Sequence, residues 1–99
     1  MAINYLQTTK FLDNVKLTFG TGDDLEIYHD GSNSYIDDAG IGSLFIRASA
    51  AIDFTNIGGT ENIARFIEND RVELYFNGLK KLETTSTGVH VLNGTAASY

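Results

Sequence analysis

Two pairs of adjacent carboxylates, Asp23-Asp24 and Asp37-Asp38, and two imidazoles, His29 and His90, carry acid, base and ligand chemistry in this sequence. General acid–base catalysis needs two groups that converge on one substrate with their pKa values held apart. Adjacent strand residues point to opposite faces, so neither Asp pair converges by itself. Both pairs read as turn residues whose carboxylates accept hydrogen bonds from nearby backbone N–H groups. A triad around either histidine would need a serine nucleophile and an orienting acid, and the sequence has no nucleophile elbow. A structural role is expected for both. Gly20-Thr21-Gly22 and Gly40-Ile41-Gly42 lack the lysine of a phosphate loop. Asp24 to Gly31 has alternating acids but not the calcium-loop order, with glycine sixth and glutamate twelfth. Asn93-Gly94-Thr95 has the form of a glycosylation acceptor but no secretory leader is read ahead of it. The expectation is a chain that is not an enzyme, with no catalytic residue, no metal site and no cofactor.

The composition narrows the partners. The chain has 99 residues, enough for one small domain, and 42% of them are hydrophobic, which places it among folding chains. Net charge is −6, and the seven Lys and Arg are scattered from Lys10 to Lys81. Nothing resembles the basic stripe that neutralises phosphates, so no nucleic acid is expected as partner. No apolar run approaches the roughly 18 residues needed to span a bilayer, and Met1 to Leu6 does not read as a signal peptide. Without cysteine, disulfides and thiolate chemistry are excluded.

Ten glycines and no proline suit many short strands joined by tight turns. Apolar residues alternate at Val15, Leu17 and Phe19; Leu25 and Ile27; Leu44 and Ile46; Ile52 and Phe54; Val72, Leu74 and Phe76; and Val89 and Val91. This is the period of a strand. Turn residues fall between the runs, at Gly20–Asp23, Asp30–Asn33, Ala39–Gly42, Gly58-Gly59, Asn69-Asp70, Asn77-Gly78 and Thr87-Gly88. Tyr5–Leu12 and Thr60–Ile67 are the two stretches long enough for a helix, and the β-branched and aromatic content of the second suits a strand better.

Behind the alternation lies a repeat. Phe19, Asp23, Leu25, Glu26, Ile27, Tyr28, Asp30 and Gly31 correspond to Phe66, Asp70, Val72, Glu73, Leu74, Tyr75, Asn77 and Gly78. Every pair is 47 apart without a gap. Such spacing marks stacked supersecondary units. It also divides the faces. Leu25, Ile27, Val72 and Leu74 are expected to point inward, and Glu26, Tyr28, Glu73 and Tyr75 outward. Leu44, Ile46 and Phe76 join the first four as an expected assembly core. Tyr28, Tyr35 and Tyr75 form the expected ligand or partner surface. Flat sheets in so short a chain would leave edges that invite pairing, and oligomerisation removes them.

The string Leu25-Glu26-Ile27-Tyr28-His29-Asp30-Gly31-Ser32-Asn33-Ser34-Tyr35-Ile36 resembles a module of virion fibre proteins. So do Gly42-Ser43-Leu44-Phe45-Ile46-Arg47 and the run from Glu73 to Val89. Such modules occur in tailed bacteriophages, notably those of marine cyanobacteria, and the resemblance covers roughly Asn14 to Asn93. It implies an all-β tail-fibre or spike component. Short antiparallel hairpins in repeated units would close as a β-prism or interleaved sheets in a homotrimer. The implied location is the virion, and the implied partners are its own copies, other virion proteins and a host surface glycan. The alternatives are a capsid decoration or baseplate-connecting protein and a carbohydrate-binding module. The expected organisation is an attachment segment over residues 1–13, a β-repeat domain over 14–93 with repeat units at about 19–46 and 66–92, and a tail over 94–99.

Overall fold

The structure, a computed structural model, describes residues 7–92. The fold is all-β, with no helix among the described residues. The chain divides into two compact units, Met1–Phe45 and Ile46–Tyr99.

The first unit holds an antiparallel sheet of three strands in sequence order, β1 (Leu17–Phe19), β2 (Leu25–His29) and β3 (Ser34–Asp38). The second holds five in sequence order, β4 (Ala51–Thr55), β5 (Asn62–Ile67), β6 (Val72–Phe76), β7 (Leu79–Thr85) and β8 (Gly88–Val91). All neighbours are antiparallel, so each sheet is a plain meander joined by short turns.

The repeat is reproduced residue by residue. β2 and β6 have the same length and lie 47 positions apart. In the first sheet Leu17 pairs with Ile27, Thr18 with Glu26 and Phe19 with Leu25. Adding 47 to every number gives the pairs of the second sheet: Ala64 with Leu74, Arg65 with Glu73 and Phe66 with Val72.

The copies part at the next turn. In the first, His29 pairs with Ser34 and leaves a four-residue loop. The Asp30 carboxylate closes that loop, accepting from the Ser32 and Asn33 amides at 2.9 and 2.7 Å and from the Tyr35 hydroxyl at 2.9 Å. Those donors hold its pKa below the ordinary carboxylate value, the Asn33 amide most of all. In the second copy Phe76 pairs with Leu79 around Asn77-Gly78 alone. Asn77 and Gly78 have φ of 51° and 78°, and positive φ at both central residues is the two-residue turn that follows strand twist. A bulge between Leu74 and Tyr75 absorbs part of the difference in loop length, so Leu82, rather than the residue 47 beyond Ile36, stands opposite Leu74.

One expected strand is absent, and the two stretches open to a helix are not helical where they are described. Leu44 to Ile46 forms no strand; residues 43–48 run outside both sheets, where the chain passes from one unit to the other. Alternation marks a run fit to pair, but whether it joins a sheet depends on tertiary context. Thr60–Ile67 is mostly the strand β5, and residues 7–12 are not helical. Residues 1–6 of the expected attachment segment and the tail at 94–99 lie outside the described residues.

Candidate functional site: the two faces of the sheets

Pairing across the five-stranded sheet sorts its side chains into unbroken rows. Asp53, Arg65, Glu73, Glu83 and His90 form one, a charged row from edge to edge. Phe54, Ala64, Leu74, Leu82 and Val91 form the next, wholly apolar. Adjacent rows point to opposite faces. Ile52, Phe66 and Val72 form a further paired row on the apolar face. The three-stranded sheet repeats the arrangement. Leu17, Ile27 and Ile36 cross it on one face, and Thr18, Glu26 and Asp37 on the other.

The expected division into two faces therefore stands in each sheet, but the chain covers them in the opposite sense. Glu73, expected outward, is the most buried side chain described, at 2% exposure. Leu74 and Ile27, expected inward, are 43% and 40% exposed. Ala64, small and set between Phe54 and Leu74, is the buried apolar residue of the described chain.

The cause lies in side-chain length. Arg65 and Lys80 reach Glu73 from the neighbouring strands and Arg71 from its own end. Their charged nitrogens meet the carboxylate oxygens, and each of the three side chains stays about a third exposed. The Tyr75 hydroxyl donates to Glu73 Oε1 at 2.6 Å, Arg71 Nε donates to Oε2, and Lys80 Nζ donates to Oε2 at 3.2 Å. Lys80 also donates to Glu83 at 3.1 Å, bridging two carboxylates that stand directly opposite across β6 and β7. The Tyr75 hydroxyl first, with Arg71 and Lys80 behind it, pulls the Glu73 pKa down to about 2 against the opposing effect of desolvation. Tyr75 is raised in return.

The polar face of the first unit is tied more lightly. Lys16 Nζ donates to Glu26 at 3.0 Å and sits 4.7 Å from the Tyr28 ring centroid. Tyr28 and Tyr35 stack on each other at 4.9 Å, with hydroxyls donating to Asp37 and Asp30. One face of the Tyr28 ring thus meets Tyr35, and Lys16 lies over the ring as well. Tyr75 is half-buried and bound to Glu73. The three tyrosines expected as a ligand surface are each committed within the chain through ring or hydroxyl.

Among the expected core residues, Leu25 and Val72 are half-buried, while Ile27, Leu44, Ile46, Leu74 and Phe76 are exposed. Ile46 lines an open groove of about 390 Å³ with Ala51, Ile52, Phe66, Ile67 and Val72. Phe54 and Phe66 meet edge to face on the apolar side with centroids 5.5 Å apart. His29 lies on the apolar side with Ile27, its ring 2.9 Å from the Ser34 hydroxyl. Among the described residues no three acidic or imidazole side chains converge as a metal site, and no helix is long and apolar enough to cross a membrane. Sequence reasoning had no signal for Phe54, Leu82 and Val91 as partners of Leu74, because only the strand register joins them.

Comparison with protein-family models, with curated proteins and with solved structures gives no match.

Proposed function

We propose that this chain is a structural module of a bacteriophage virion, a short tail-fibre or spike component that works as a homotrimer. The observation that carries the reading is a duplicated hairpin, held in the same register twice, each time on a sheet one layer thick. Within each unit the substantial contacts between strands are those between ladder neighbours. A stable domain needs a second layer against its apolar face. Among the described residues neither unit builds one from its own strands, and Ala64 is the apolar side chain that is buried.

A repeated β-unit that depends on neighbouring copies is the design of a shaft. Three chains closing their sheets around one axis, as a β-prism or as interleaved sheets, would supply the missing layer and protect the strand edges. The fibre-module strings point the same way, and so does a polar face whose tyrosines and carboxylates are engaged with each other rather than gathered around a cleft. Host adhesion, where it occurs, belongs to the outer surface of such an assembly.

Two measurements test this. Light scattering on the purified chain at micromolar concentration should give three times the chain mass, and a monomer would sink the reading. Gold-labelled antibody against the chain should decorate phage tails in electron micrographs. Label confined to the capsid or baseplate would assign it as a decoration or connecting protein instead.

A further inference from the structure

We infer that copies of this chain meet through the apolar face of the five-stranded sheet, and that the charged row Asp53–Arg65–Glu73–Glu83–His90 is the outer surface of the assembly. The inference rests on the self-assembling reading above and adds which face is the interface and what occupies it.

The two faces differ in what they lack. The charged face is complete in one chain. Its ion pairs run Asp53–Arg65 at 2.8 Å, Lys80–Glu73 at 3.2 Å and Lys80–Glu83 at 3.1 Å, and among the described residues no buried side-chain polar atom is without a partner. Covering that face would strip water from six or more charged groups and return little, because they already satisfy one another. The apolar face is the reverse. Phe54, Phe66 and Leu74 remain 42–43% exposed, and nothing charged interrupts the rows they belong to. Phe76 and Leu79 extend the face to the hairpin end.

Its footprint is that of a small contact with any one partner. Five strands at about 4.8 Å spacing and five residues at about 3.4 Å give a flat footprint near 400 Å². That is about half of the ~800 Å² that one partner contributes to a standard interface, and in a three-chain closure each sheet meets two partners. A surface this flat, with no charge in its paired rows, requires a partner that is also flat and uncharged. The same face on the other two copies meets that requirement when three sheets close around one axis. Such packing also leaves the paired charges of the other face in water, where they need no further partner.

The absence of native cysteine makes the test direct. Leu74→Cys and Val91→Cys place single thiols in the middle and on the last strand of the apolar row, and His90→Cys places one beside Val91 on the charged row. Maleimide labelling is followed on native protein whose assembly has been verified by light scattering. The apolar-row thiols should label at least tenfold more slowly than Cys at position 90 and catch up with it in urea. Equal labelling at all three positions in assembled protein would overturn the face assignment while leaving the fibre reading intact. A wild-type chain that scatters as a monomer would overturn both. The Val91→Cys variant, a small change on an edge strand, decides the matter if Leu74→Cys folds poorly.

Discussion

Replacing Glu73 by glutamine removes the one charge buried among the described residues while keeping the shape of the side chain. In the folded chain the Glu73 pKa lies at about 2, against 4.5 for a free glutamate, because the carboxylate is held by the Tyr75 hydroxyl, Arg71 and Lys80. A pKa lowered by folding contributes stability that is fully present above the unfolded value. That contribution is lost as pH falls from about 4.5 towards 2. An unscreened shift of this size corresponds to about 3 kcal/mol. The three cations around Glu73 are each about a third exposed. Screening therefore halves the figure, to ~1.5 kcal/mol. The assay is urea unfolding at one fixed protein concentration, since association makes the midpoint depend on concentration. Wild type should lose ~1.5 kcal/mol more than Glu73→Gln between pH 6 and pH 2.5. The variant should also start lower at pH 6 by a similar amount, because Arg71 and Lys80 lose their anion. Parallel pH dependences for the two proteins would refute the argument, for then the carboxylate network would be no tighter in the folded chain than in the unfolded one.

Three further outcomes follow from local geometry. Lys80→Ala leaves Glu73 and Glu83 opposed without the ammonium between them, and should lower stability by about 1–2 kcal/mol in denaturant titration, less in high salt. Gly78→Ala puts a methyl group at φ of 78° and 2.9 Å from the Glu61 carboxylate oxygen, and should cost about 1–2 kcal/mol by the same measure. Asn56→Ala removes the side chain that accepts from the Thr60 and Glu61 amides and donates to the Thr60 hydroxyl. It should cost about 1–2 kcal/mol and speed hydrogen exchange at those two amides.

Alternation and turn chemistry were legible wherever a strand keeps a strict period. β2 and β6 fall where Leu25, Ile27, Val72 and Leu74 alternate with polar neighbours, and Asn77-Gly78 turns the chain as its composition suggests. β7 was hidden because Lys80 and Lys81 sit beside the register shift, so its side chains break the period as they pass it. β3 was hidden because Asp37 and Asp38 end it on two polar residues. Leu44 to Ile46 shows the opposite failure, a run with the right period and no place in either sheet.

By itself the sequence determined the β class, the turn positions, the duplicated hairpin and the division of its residues between two faces. All of these depend on neighbours along the chain or on a repeat spacing that can be counted. Which face the chain covers was decided only by the tertiary structure. Arg65, Arg71 and Lys80 reach Glu73 because three strands lie side by side in one register, and a carboxylate read as solvent-facing becomes the most buried group described. The same register joins Phe54, Ala64, Leu74, Leu82 and Val91 into one apolar row. Burial is a property of what stands across the ladder, and spacing along the chain does not encode it.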